Sequence, residues 1–288
     1  YSVSDEAFYN EDEVKEQNGI KVSITSGSVV EWVEEESYFF RLSKWQDSLL
    51  KYYEENPEFI LPESRRNEVV SFVKSGLKDL SISRKSFTWG IEVPSNNNHI
   101  IYVWLDALTN YLSALNYKDE NNENFRKFWP ASVHLIGKDI LRFHAVYWPA
   151  FLLAADINPP KRVYGHGWIL SGDEKMSKSK GNILDPLEII NQYGLDPLRY
   201  YLLKEVSFGN DGNISNEKLE NCINSDLANN YGNLCQRVIL FCEKNIGLKI
   251  PKINDFDVED LQILDNYKNN FEDLKINIFL CKRNYSLT

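Results

Sequence analysis

The chain has 288 residues, 43% hydrophobic and 26% charged, an ordinary globular composition with enough apolar side chains to bury one large core or two to three smaller ones. No apolar run approaches the roughly 18 residues needed to cross a bilayer, and no signal-peptide pattern opens the chain. The formal charge of −10 excludes a uniformly basic nucleic-acid binder but permits a local basic site.

The chain opens at Tyr1 inside a polar-aromatic segment, which reads as a fragment or a processed chain. Residues 21–25 alternate like a strand, and residues 29–36 are part apolar, part acidic. From Ser37 a helical pattern begins, with Leu42, Trp45, Leu49 and Tyr52 near helical spacing; Pro57 and Pro62 break it. Ser64 is placed to cap a second helix through Val69, Val70, Phe72 and Val73, stopped by Gly76. At His99 the pattern changes. Residues 99–104 are β-branched and aromatic, as in a buried strand. Residues 105–115 read as a helix, 118–124 as a polar loop and 132–137 as a second buried strand ending in Gly137. Residues 139–155 read as a helix containing Pro149, and 162–167 as a third strand ending in Gly167. Strand–helix–strand–helix–strand predicts a parallel α/β sheet, whose ligands bind beyond the carboxyl ends of the strands. Beyond Pro186 the pattern turns helical: 186–193, 196–206, 216–244 (long enough to be broken) and 257–271.

All four cysteines fall late, at Cys222, Cys235, Cys242 and Cys281, with no CxxC-like spacing. They read as buried free thiols of a reducing compartment rather than as zinc ligands or a disulfide framework.

The densest chemical signal is Lys175-Met176-Ser177-Lys178-Ser179-Lys180-Gly181-Asn182, after the turn-like Ser171-Gly172-Asp173-Glu174. Ammonium groups neutralise phosphate oxygens, and hydroxyls and free backbone N–H groups donate to them. Any Lys/Ser loop can equally be a solvated turn. The whole string, however, resembles the KMSKS signature of class I aminoacyl-tRNA synthetases. Its surroundings resemble the methionyl branch of that family. The similar segments are residues 102–111, Ile136-Gly137-Lys138-Asp139-Ile140-Leu141-Arg142-Phe143-His144 with Tyr147-Trp148-Pro149-Ala150 after it, and Val33-Glu34-Glu35 with Tyr38–Leu42. The resemblance covers essentially the whole chain.

What the resemblance implies is specific. The fold is α/β: the C-terminal half of a Rossmann-type parallel sheet, with a small connective insertion before it and an incomplete α-helical anticodon-binding bundle after it. The divisions expected are 1–93 for the connective region, 94–160 for the second half of the catalytic domain, 161–215 for the signature loop and stem-contact region, and 216–288 for the bundle. Methionine is expected among Trp104, Ala107, Leu108, Tyr111 and His144, since a thioether needs a snug apolar and aromatic slot with polarizable contacts. Arg84 is expected near the substrate carboxylate and phosphates. ATP is expected at Gly137 and Asp139, where the carboxylate takes the ribose, at His166 and Gly167, and on Lys175, Met176, Ser177, Lys178 and Ser179, with Lys175 and Lys178 stabilising the transferring phosphate. Asn233 and Arg237, four residues apart on one helix face, are expected at the anticodon. Blander readings stand beside these. An aromatic stripe on a helix is also ordinary core, His144 a satisfied core histidine, Asp139 a helix cap, Asp106 a helix start, and Arg84 a surface charge.

The function implied is methionine–tRNA ligation: ATP, with Mg2+, activates methionine to the adenylate, which is transferred to tRNA(Met), the initiator tRNA included. The chain departs from the family pattern in two places. A HIGH-type signature is absent: His99, His134, His144 and His166 form no His-x-x-His. The aromatic anticodon-reading motif is absent before Thr288. The piece is therefore expected to be inactive alone. No zinc is expected, because no Cys precedes Cys222, and a cytoplasmic location without membrane attachment is expected. Two other readings remain at this level: a leucyl-, isoleucyl- or valyl-type synthetase, for which residues 1–98 are short, and a non-catalytic synthetase-derived tRNA-binding or assembly protein.

Overall fold

The computed structural model describes the chain except residues 3, 5–8, 10, 25, 33–35, 87, 119–122, 173, 177–182, 207–208, 248, 250–255 and 280–288, and except the side chains of 12 and 277–279. Two compact units divide it, Tyr1–Gly165 and His166–Thr288.

In the first unit the helix Gln46–Glu55 is entered through a 3-10 turn, Leu42–Trp45. The helical pattern read from Ser37 starts late because Phe39–Phe40 pairs instead with Leu80–Ser81 as a short antiparallel strand. The helix Glu63–Lys74 follows Pro62, whose extended backbone opens it; Ser64 lies inside the first turn and does not cap. It stops at Ser75, with Gly76 at φ +104, a conformation that favours glycine. Between the two prolines lies a strand the sequence reading left out. Ile60–Leu61 pairs in parallel with Val163–His166, which has His134–Gly137 on its other side. The region expected as a separate insertion therefore supplies one edge of the parallel sheet.

The run at 99–104 behaves differently from its reading as a strand of that sheet. The strand is Asn96–Ile101, and it sits in an antiparallel sheet between Ser83–Arg84 and Glu92–Val93. A buried β-branched run encodes burial, not the direction of its neighbours. Val103 and Trp104 already belong to the next helix, Val103–Ser113.

Residues 138–154 wind continuously but not uniformly, as a 3-10 turn Lys138–Ile140, a π segment Phe143–Tyr147 and an α-helix Trp148–Ala154. Pro149 has no N–H to give to the carbonyl of Ala145, four residues back. That carbonyl is buried, and it accepts instead from the hydroxyl of Tyr53 on another helix, at 2.6 Å. The widened turn thus has a sequence cause and a tertiary partner. Two apolar clusters hold the unit. One joins Leu49, Tyr53, Phe59, Val69 and Val73 to Ile136, Leu141, Ala145 and Val163. The other joins Leu108 and Leu112 to Trp129, Trp148 and Leu152.

The second unit opens with a hairpin, Ile169–Ser171 against Glu174–Lys175, turning at Gly172 with φ +63. Gly212–Ile214 flanks it in parallel. Helices follow in the expected order. Asp185 caps Pro186–Tyr193 by accepting from the Leu187 N–H, and Ser215 caps Asn216–Cys222 by accepting from the Lys218 N–H. The long run expected at 216–244 is unbroken but changes winding, from Asn216–Cys222 through a π segment Ile223–Gly232 to Asn233–Ile246, closed by left-handed Gly247. Val258–Phe279 is the last helix described. Cys222 is buried as expected, whereas Cys235 and Cys242 are only half-buried; Cys281 lies outside the described residues. Among the described residues no helix is long and apolar enough to cross a membrane.

Candidate active site

The helix Val103–Ser113 and the π segment Phe143–Tyr147 bring the expected methionine residues together. Trp104, Leu108 and Tyr111 recur at helical spacing on one face. Trp104 stacks on Phe143, with ring centroids 3.8 Å apart and planes within 10°. It also meets His144 edge-on at 6.3 Å. Leu108 is fully buried beneath them against Trp148 and Leu112. Ala107, on the same helix, is exposed.

The polar atoms of this cluster form a directed chain. His144 Nδ1 lies 3.0 Å from the Ile140 carbonyl, four residues back in its own helix. A carbonyl only accepts, so Nδ1 carries the proton and Nε2 keeps its lone pair. The Tyr111 hydroxyl lies 2.9 Å from Nε2 and donates to it. Burial pushes the His144 pKa down, against a smaller opposing effect of the Ile140 hydrogen bond, and burial pushes the Tyr111 hydroxyl up. Both groups are therefore neutral at physiological pH. The result is an aromatic cluster with one fixed imidazole and one fixed phenol.

Two groups that sequence reading did not select also belong to the cluster. Phe143 is the stacking partner of Trp104. His134 lies with its ring centroid 4.1 Å from that of Tyr111 and 6.1 Å from that of His144. Its pKa is lowered to about 4, first by burial and then by His144. A signal existed for His134. Along the strand His134–Gly137, period-two alternation puts it on the same inward face as Ile136, with Leu135 outside. Two cavities flank the helix Val103–Ser113. One, of about 700 Å³, is walled mainly by Leu105, Leu112, Trp148, Phe151 and Leu152. The other, of about 500 Å³, lies against Tyr111, Leu115, Trp129 and His134. Trp104 and His144 line neither of these two.

Arg84 is not the surface charge that an isolated arginine suggests. It is buried, its guanidinium 4.5 Å from the centre of the Tyr102 ring, and it donates to the Ser81 hydroxyl and the Ser83 carbonyl, each at 2.8 Å. Asp139 is not a cap either. It sits in the first turn of Lys138–Ile140, where Gly137 holds the cap position, and its carboxylate lies so close over Gly137 that a Cβ there would come within 2.6 Å of Oδ1. Glycine at 137 leaves room for that carboxylate. Asp106 is exposed in the first turn of its helix.

The remaining expected residues lie in the second unit. His166 Nδ1 bonds to the Gly167 carbonyl at 2.8 Å. Gly167 allows a backbone contact, since a Cβ would meet Asn210 at 2.2 Å. Lys175 is exposed in the hairpin, with Nζ 4.3 Å from the centre of the Trp168 ring. Met176 is half-buried and packs against the core of this unit, as Leu184 and Ile190 do. Ser177, Lys178 and Ser179 lie outside the described residues. Asn233 and Arg237 are both exposed on Asn233–Ile246, four apart as expected. Among the described residues no group of three His, Cys, Asp or Glu side chains is placed to hold a metal ion.

A family profile described as tRNA synthetases class I (M) matches residues 8–239. The chain is 54% identical over 283 residues to a methionine–tRNA ligase of Rickettsia bellii, covering 98% of the chain and 55% of that protein. It is 56% identical over 266 residues to the corresponding ligase of Brucella suis, covering 92% of the chain and 51% of that protein. Among solved structures, the Mycobacterium tuberculosis methionyl-tRNA synthetase in complex with methionyl-adenylate superposes with a TM-score of 0.90 at 48% identity, over 97% of this chain and 55% of that one. The free-state structure of the same enzyme matches with a TM-score of 0.87 at 46% identity. The chain thus spans about half the length of the relatives it matches, and across that half the profile, the identities and the fold agree: it belongs to the methionyl-tRNA synthetase family of class I tRNA synthetases.

Proposed function

We propose that this chain is the methionine-selecting and loop-bearing part of a methionine–tRNA ligase. The observation that carries the reading is the directed chain from Tyr111 through His144 to the Ile140 carbonyl, set against the stacked Trp104 and Phe143. A thioether is apolar, polarizable and a weak acceptor. A slot walled by indole, phenyl and phenol rings, with its imidazole held neutral, accommodates it without burying a charge. A charged or strongly hydrated side chain finds no compensation there.

The reaction has two steps. The methionine carboxylate oxygen attacks the α-phosphorus of ATP, and the bond to the bridging oxygen breaks, releasing pyrophosphate. A ribose hydroxyl of the terminal tRNA adenosine then attacks the activated carbonyl, releasing AMP. Side chains supply position and charge rather than covalent chemistry. Lys175 and Lys178 stabilise charge on the phosphates, with Ser177 and Ser179 donating to the same oxygens and Met176 anchoring the loop. Mg2+ accompanies ATP. Asp139, held over Gly137, accepts from the adenosine ribose, and the backbone at His166 and Gly167 meets the adenine. Arg84, already engaged with Ser81 and Ser83, orders the strand before the slot and adds positive potential toward the carboxylate. Asn233 and Arg237 present an amide and a guanidinium to anticodon bases of tRNA(Met), initiator tRNA included. The expected setting is the cytoplasm, away from membranes.

The test is amino-acid-dependent ATP–pyrophosphate exchange. The whole ligase carrying this chain, supplied with methionine, leucine, isoleucine or valine, is expected to exchange with methionine alone. Exchange with a branched aliphatic amino acid instead would replace the methionine reading. Absence of exchange with all four by folded protein would favour a non-catalytic tRNA-binding role.

A further inference from the structure

We propose that His134 is the rear wall of the methionine slot and sets the length of side chain the slot accepts, by backing the ring of Tyr111 and closing it off from the cavity behind. The inference rests on the methionine-ligase reading above. Four observations carry it.

The first is position. The His134 ring lies 4.1 Å from that of Tyr111, with planes at 46°, close enough to fix where the phenol stands. The second is what the phenol does. Its hydroxyl is the donor to His144 Nε2, so any retreat of the Tyr111 ring lengthens that bond. The third is the space available for retreat. Tyr111 and His134 both line the cavity of about 500 Å³, with Leu115, Phe128 and Trp129 among its other walls. The fourth is burial without a polar tie. His134 is 4% exposed, and among the described residues neither ring nitrogen has a hydrogen-bond partner. A histidine kept there without hydrogen bonds serves through its ring. Trp129 meets the His134 ring edge-on at 6.0 Å. The lowered pKa agrees, since an uncharged ring is the form that packs against a phenol.

His134 touches no substrate in this arrangement. It is a positioning residue, acting through Tyr111. Removing its ring joins the space behind Tyr111 to the slot and lets the phenol recede.

The experiment is ATP–pyrophosphate exchange by the whole ligase with methionine and with its S-ethyl and S-propyl homologues. For His134→Ala, the methionine KM is expected to rise about tenfold with kcat within about twofold. The ratio of kcat/KM for methionine to that for the S-ethyl homologue is expected to fall by about tenfold or more. His134→Phe restores ring volume without the nitrogens and is expected to return both values to within about threefold of the parent. Should His134→Ala fail to fold by circular dichroism, His134→Val gives the same reading with a smaller change. An unchanged homologue ratio in a folded small-residue variant overturns the proposal. So does a His134→Phe enzyme as impaired as His134→Ala, because the nitrogens would then be what matters. If the parent enzyme itself shows no methionine-dependent exchange, the ligase reading fails; if the parent exchanges normally and the variants discriminate as it does, only this inference fails.

Discussion

The aromatic slot of the first unit and the lysine hairpin of the second are opposite kinds of site. In the slot every polar atom of the working pair is pinned: His144 by Ile140 and Tyr111, and Tyr111 by His144 and the ring of His134. The rings are stacked and half-buried or buried, so packing within the unit holds them in place. The hairpin, by contrast, holds Lys175 in the open over Trp168, and its neighbours Ser171 and Glu174 are exposed or half-buried. Binding a specific side chain needs rigidity. Following a phosphate whose charge moves during the reaction needs groups that can move with it. The first unit therefore invests in packing and the second in charge.

Removing a lysine of the signature string is expected to have the largest catalytic effect. Lys178→Ala in the whole ligase is expected to lower kcat for adenylation by about 10²–10³-fold, with the methionine KM within a few-fold of the parent. Pre-steady-state adenylate formation checks it, and a pure KM effect would remove the lysine from the transition state. Breaking the slot is expected to do the reverse. Tyr111→Phe deletes the donor to His144 Nε2 and leaves a buried acceptor unmet, at a cost of about 1–3 kcal/mol. On the binding role proposed for that pair, the loss is expected in KM, about 5–100-fold, with kcat nearly preserved. A variant that loses kcat without KM would mean that the slot, too, works on the transition state.

The two regions also differed in how legible they were. The signature string announced itself: Lys175 through Gly181 is a rare run, readable without any structure. What the string hid was that Met176 faces the core of its unit. A methionine slot was suggested only by the resemblance. Nothing in the spacing of Trp104 and Tyr111 distinguishes a ligand wall from a core stripe, because both need the same helical period. Strand alternation marked His134 as inward-facing, but its ring contacts, like those of Phe143, join segments far apart in sequence. Two strands of the three-stranded sheet were readable, His134–Gly137 and Val163–His166, but the run at 99–104 read with them lies in an antiparallel sheet. The edge of the first sheet at Ile60–Leu61 was not readable, since two residues between prolines carry no periodicity. Pro149 was visible as a helix interruption. Its consequence was not, because the partner that answers the freed carbonyl, Tyr53, lies 92 residues away.

That partnership gives the first stability prediction for the packed region. Tyr53→Phe keeps the ring but leaves the Ala145 carbonyl without its hydroxyl donor, and is expected to cost about 1–3 kcal/mol in denaturant unfolding of the first unit. Acid should find the same region. The folded His134 pKa, about 4, lies below its ordinary value of 6.5, so the unfolded chain binds more protons between those values. Stability contributed by neutral His134 is then fully present above about pH 6.5 and is lost as pH falls toward 4, a total on the order of 3 kcal/mol. His144, also lowered, adds in the same direction. His134→Phe is expected to flatten the unfolding free energy against pH over that window. An equally steep acid slope in that variant would assign the effect to other groups.

The smallest expected effect tests the exposed side of the contrast. Lys175 over Trp168 is a solvent-facing cation–π contact, a type that contributes about 0.5–1 kcal/mol where water competes. Trp168→Leu keeps an apolar side chain beside the lysine but removes the ring quadrupole. Its backbone N–H still has Asp211 to donate to, so the turn into the hairpin keeps its tie. Unfolding of the second unit is expected to shift by less than about 1 kcal/mol. The adenylation kcat should change by no more than a few-fold. A loss comparable to that of Lys178→Ala would mean that the resting place of Lys175 is part of the catalytic geometry, and the hairpin would then be preorganised in the same sense as the slot.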